Sequence, residues 1–119
     1  MQTAERPSDV CEISENCFGM IDEIREPFRV RVAKGDVRIS RLSEPLQGAT
    51  VEVFGPVPSK NLHVAKADAQ GRFTVKDLTP GTYKLHVFAL GFNSTTAGLI
   101  VSRQSSRETR IHIEVTLGH

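Results

Sequence analysis

The sequence predicts an all-β chain folded as a sandwich of seven to eight strands, preceded by an N-terminal arm. Three observations lead there. The apolar residues favour branching at Cβ, with 12 Val and 7 Ile against 8 Leu, and branched side chains suit a pleated surface better than a helix. From Phe28 onward apolar and polar residues alternate with a period close to two, so that every second side chain faces one shielded layer. Glycine, proline and aspartate fall between the alternating runs, where short antiparallel strands need tight connections.

Residues 1–27 read as the arm. Residues 1–30 hold seven acids against three arginines, a balance of −4 that leaves +5 on the remainder. Phe18, Ile21 and Ile24 recur every third residue, as on one face of a short helical turn, and Pro27 would close that turn. Cys11 and Cys17 enclose five residues. An oxidising compartment would favour a disulfide between them, given a turn that brings the sulfurs together, and a reducing one would leave two thiols.

The sandwich occupies residues 28–119. Phe28, Val30 and Val32 face inward, Lys34-Gly35-Asp36 turns the chain, and Val37 and Ile39 follow. Ala49, Val51 and Val53 form the next inward set, with Thr50, Glu52 and Phe54 opposite. Gly55-Pro56-Val57-Pro58 ends that strand, since proline cannot donate to a ladder. Leu62 and Val64 make a weaker set. Asp68-Ala69-Gln70-Gly71 is a hairpin loop with Gly71 at positive φ, leading into Phe73 and Val75. Thr79-Pro80-Gly81-Thr82 carries a type II turn signal, with Gly81 in the left-handed position. Tyr83, Leu85, Val87 and Ala89 then face inward, leaving Lys84, His86, Phe88 and Leu90 outside. Residues 99–101 are a short apolar run, and Ile111, Ile113, Val115 and Leu117 form the clearest inward set.

Four of these segments carry a resemblance. Pro45-Leu46-Gln47-Gly48-Ala49 ahead of Val51, Asp68-x-x-Gly71-Arg72-Phe73, Leu78-x-Pro80-Gly81-x-Tyr83 and Gly91-Phe92 occur in this order. Together they resemble the carboxypeptidase regulatory-like domain, one of the transthyretin-like (prealbumin-like) sandwiches. The resemblance covers residues 37–117 and implies a seven-stranded Greek-key sandwich with Phe73 and Tyr83 in its core. The corner around Tyr83 also occurs in fibronectin-type sandwiches, where the tyrosine hydroxyl bonds back to the chain. The lack of tryptophan favours the transthyretin-like form. Residues 1–36 match no part of this pattern.

Several functions are excluded or demoted. A net charge of +1 gives no field for a phosphate backbone, so no nucleic-acid partner is expected. No apolar run approaches the ~20 residues of a membrane span. The start lacks the basic and then apolar regions of a signal peptide; a secreted, periplasmic or cell-surface place is still expected, with the cytoplasm left open. Among enzymes that the resemblance brings in, intradiol dioxygenases need two tyrosines and two histidines for iron, and this chain has only Tyr83. Hydroxyisourate hydrolases end in Tyr-Arg-Gly-Ser, which the sequence Val115-Thr116-Leu117-Gly118-His119 does not match. His86 and His112, both outward, could meet across neighbouring strands and hold a metal with Glu114, but exposed strand histidines are ordinarily just solvated. No metal, cofactor or catalytic residue is therefore expected. Ser105 and Ser106 lie among Arg103, Arg107 and Arg110 in a polar loop able to take an anion, though a plain connection is the simpler reading. Asn93-Ser94-Thr95 forms a glycosylation sequon in a loop.

The expectation is a non-catalytic accessory or binding module, monomeric or weakly oligomeric, that presents a face or an open sheet edge to a protein or glycan partner. A starch-binding-like carbohydrate module is the alternative, and a small hydroxyisourate-type hydrolase a further one. Phe54, Phe88 and Leu90 are the candidate contact patch, or else the seat of the N-terminal arm.

Overall fold

The computed structural model describes residues 21–118. Cys11, Cys17 and Phe18 lie outside the described residues, and so does the expected pairing of the two cysteines. The described part is all-β: β1 (Ile21–Glu23), β2 (Phe28–Val30), β3 (Ala33–Ile39), β4 (Glu44–Pro45), β5 (Thr50–Phe54), β6 (Leu62–Lys66), β7 (Arg72–Val75), β8 (Gly81–Phe88), β9 (Ser94–Val101) and β10 (Ile111–Val115). The larger sheet runs β1-β9-β8-β5-β6, with β2 also on β9; the smaller runs β10-β3-β4, with β7 also on β3. None of the described residues forms a helix that could cross a membrane.

Ten strands replace the expected seven or eight because β1 and β4 join the expected sets; β1, like the expected strand at Phe28 (β2), runs parallel along one edge of β9, and parallel addition leaves no hairpin signal to read. Ile21 and Ile24 therefore do not mark a helical turn. The free edge of β9 supplies partners that a single turn would lack: Ile24 donates its amide to the Thr96 carbonyl at 2.9 Å, and Ser102 donates to Val30 at 2.9 Å. Between the two strands Pro27 lies on Gly98, where a Cβ would stand 3.2 Å from the proline ring.

The chain passes from the larger sheet to the smaller at the bend of residues 31–32, before Lys34-Gly35-Asp36. That triplet is strand, not turn. Gly35 sits in the middle of β3, opposite Phe73 of β7 on one side and Ile111 of β10 on the other. Its lack of a side chain answers crowding, since a Cβ would lie 2.6 Å from the Ile111 carbonyl carbon.

The core is the layer between the sheets, and the expected inward sets of β5, β7, β8 and β10 are buried there. β6 is the exception. Leu62 and Val64 are exposed, at 51% and 52%, while His63 and Ala65 turn inward. The reason is register: His63 stands opposite Val53 and Ala65 opposite Val51, and directly opposed residues share a face. At the tyrosine corner Tyr83 donates its hydroxyl to the Thr79 carbonyl at 2.6 Å. Gly81 departs from the expected left-handed position: its φ of 158° is near extended, and it is Pro56, 2.8 Å from where a Cβ would be, that leaves no room. Gly71 does take positive φ, at 76°, inside a loop whose Asp68 carboxylate accepts the amides of Gln70 and Arg72. The alternation of β10 does not reach Leu117, which is 64% exposed; residues 116–118 instead bond back to residues 91–93.

Candidate functional site

Both sheets carry chemistry on their outer faces. On the larger sheet one row across the strands reads Val64, Glu52, His86, Thr96 and Glu23. His86 was expected in solvent, yet it is fully buried and Glu52 is only 8% exposed. The His86 Nδ1 lies 3.2 Å from Glu52 Oε1. Burial holds the His86 imidazole below its ordinary range, while the hydrogen bond and charge of Glu52 pull the other way. Among the described residues Nε2 of His86 and Oγ of Ser94 find no hydrogen-bond partner. The His86 ring lies against Phe88, centroids 5.0 Å apart.

The candidate patch of Phe54, Phe88 and Leu90 is divided by the structure. Phe88 is buried, Phe54 half-buried, and Leu90 lies past the end of β8 at 80% exposure. Phe54 instead stands directly opposite Leu62, with Val64 on the same face one row further along. These three residues form an apolar margin where the larger sheet ends at β6. The outer backbone groups of β6 follow from parity. Asn61 and Ala67 bond towards β5, through Gly55 and Ala49, so Leu62, Val64 and Lys66 turn their N–H and C=O groups away from it. Sequence reading missed this edge because it assigned Leu62 and Val64 to the core.

On the smaller sheet a groove of about 410 Å³ is lined by Asp36, Arg38, Arg72, Arg110, His112 and Glu114. The Asp36 carboxylate is nearly buried; Oδ1 lies 2.6 Å from His112 Nδ1, and Oδ2 accepts Arg38 Nε at 2.8 Å. His86 and His112 thus belong to different sheets and do not meet, contrary to the idea of a shared metal. His63 sets its ring edge-on to Tyr83, centroids 6.3 Å apart. The arginines of the polar loop also separate: Arg110 joins the groove, and Arg103 and Arg107 line another pocket, of about 470 Å³, with Arg31 and Asp77. Asn93 of the sequon is buried, its amide donating to Thr116 Oγ1 at 2.6 Å.

The family model for the carboxypeptidase regulatory-like domain matches residues 32–116, well over half of the chain. The chain belongs to this family. The match spans β3 to β10, so the two strands that cover the edge of β9 precede the part of the chain matched to the carboxypeptidase regulatory-like domain. Among solved structures the chain is similar to 5-hydroxyisourate hydrolase from Klebsiella pneumoniae, at 15% identity and TM-score 0.51, over 74% of this chain and 92% of that one. It is also similar to hydroxyquinol 1,2-dioxygenase from Pseudomonas putida DLL-E4, at 10% identity and TM-score 0.53, over 86% of this chain and 61% of that one. At such identities the likeness is one of fold. The comparison with curated protein sequences finds no match.

Proposed function

We propose that this carboxypeptidase regulatory-like domain is an exported, non-catalytic binding module that receives an extended segment of a protein partner on the free edge of β6. The observation that carries this reading is the edge itself. Among the described residues the larger sheet ends at β6, the backbone groups of Leu62, Val64 and Lys66 face away from β5, and Leu62 and Val64 are half exposed beside Phe54. Unpaired strand edges recruit further strands unless they are blocked, and added peptides gain affinity from main-chain bonds and specificity from alternate side chains. The other end of the same sheet already accepts added strands, β1 and β2 on β9. A sugar-stacking platform is disfavoured by the burial of Phe88.

The test is selection from a displayed library of random decapeptides. Selected peptides should alternate apolar and polar residues. Val64→Pro, which removes one outward donor and leaves the β5–β6 ladder intact, should weaken them about tenfold or more. Peptides without alternation, or binding indifferent to Val64→Pro, would refute the reading.

One observation favours a second reading. His112 and three arginines meet in the groove of the smaller sheet, and the Klebsiella neighbour is a 5-hydroxyisourate hydrolase. Decay of 5-hydroxyisourate followed by absorbance decides it: catalysis lost in His112→Gln would support a hydrolase, and decay at the uncatalysed rate would dismiss it.

A further inference from the structure

We propose that the groove on the outer face of the smaller sheet binds the phosphoryl group of a phosphate monoester, held by Arg72, Arg110 and His112. This site is independent of the β6 edge. It follows from how the charges in the groove are already spent. His112, Asp36 and Arg72 form one row across β10, β3 and β7, and Glu114 and Arg38 stand opposite each other one row on. Both oxygens of Asp36 are engaged, by His112 and by Arg38. Arg38 also donates Nη1 to the Ser43 carbonyl at 2.8 Å, so its guanidinium is fixed beside the two acids.

Among the described residues of the groove, Arg72, Arg110 and Glu114 remain without an ion pair, a net positive charge. Arg72 and Arg110 are exposed and, among the described residues, have no carboxylate within ion-pair distance. They flank the middle strand, on β7 and just ahead of β10, two strand spacings apart across the sheet and two residues apart along it, roughly 12 Å at the backbone. Arginine side chains can converge over that span only if something offsets their repulsion, and an oxyanion between them does so. His112 adds a third donor when its ring carries both protons: Nδ1 is committed to Asp36, and Nε2–H is then left to donate. Three donors from three chain positions call for three acceptor oxygens. A phosphoryl group has three terminal oxygens and a carboxylate two. The pocket of Arg31, Arg103 and Arg107 offers less, because two of its three arginines stand on the 102–109 loop and no buried carboxylate orients them.

The experiment titrates phenyl phosphate and, separately, benzoate into the full chain, followed by two-dimensional amide NMR. Saturating shifts are expected at Asp36, Arg72 and His112, with phenyl phosphate bound about tenfold tighter than benzoate. Arg72→Gln and Arg110→Gln should each weaken phenyl phosphate about tenfold. Arg25→Gln, an exposed arginine beyond β1, should change nothing. Arg72→Lys keeps the charge without the planar fork and should still lose several-fold. Benzoate bound as tightly as phenyl phosphate, equal weakening by Arg25→Gln, or shifts that never saturate would each overturn the proposal.

Discussion

Gly35→Ala separates a strand from a turn at the middle of β3. In a surface turn the change would be worth no more than about 0.5 kcal/mol either way. In β3 the new methyl would lie 2.6 Å from the Ile111 carbonyl carbon and 2.8 Å from its amide nitrogen. These are backbone atoms and cannot rotate aside. A normal contact needs more than 3.4 Å, so β10 must retreat by about 1 Å along a ladder of five residue pairs, Ile111 to Val115. Overpacking typically costs about 1–3 kcal/mol, and a clash with backbone puts this change at the upper end, about 3 kcal/mol, a large share of the roughly 5–15 kcal/mol that holds a typical domain together. With a urea slope of about 2 kcal/mol/M the denaturation midpoint should fall by about 1.5 M. A fall below about 0.3 M would refute the crowded-strand account and restore the turn.

Three further perturbations probe the sandwich. Tyr83→Phe removes the bond to the Thr79 carbonyl and should cost about 1 kcal/mol, lowering Tm by about 4 °C in calorimetry; an unchanged Tm would count against the corner. Phe88→Ala should cost about 3 kcal/mol or more, while Leu90→Ala stays within about 0.5 kcal/mol in urea denaturation; equal effects would mean the two share one surface after all. Because burial lowers the His86 pKa, the unfolded chain binds a proton that the folded chain refuses. That stability is present above about pH 6.5 and is lost as pH falls towards the folded value. Urea midpoints at about pH 7.5 and about pH 5.5 should therefore differ less in His86→Gln than in the parent; an equal difference would remove His86 from the account.

The inward sets of β5, β7 and β10 were legible because apolar and polar residues alternate strictly along them, and a period of two admits only one buried face. The family and the tyrosine corner were legible for a related reason: Gly71 and Tyr83 answer local geometry. Three things were not. Gly35 looks like a turn residue, because crowding by Ile111, far along the chain, leaves no local mark. β1 could not be read, nor could the pairing of β2, because a parallel partner for β9 has no connecting turn. Leu62 and Val64 are apolar for the outer margin, and alternation alone cannot tell an outward apolar set from an inward one. The groove was half visible. Arg110 and His112 were noted, but their convergence with Asp36 and Arg72 depends on which strands flank β3. Glu52 and His86 are the reverse case, since outward phase is no guarantee of solvent.

Amide hydrogen exchange at Leu62, Val64 and Lys66, with and without a selected peptide, bears most directly on the binding role assigned to this domain. In the free chain these three amides should exchange faster than those of His63 and Ala65, which bond to β5. On binding they should become protected while the amides around Asp36 and His112 stay as they were. Unchanged exchange along β6 in a saturated complex would contradict strand addition.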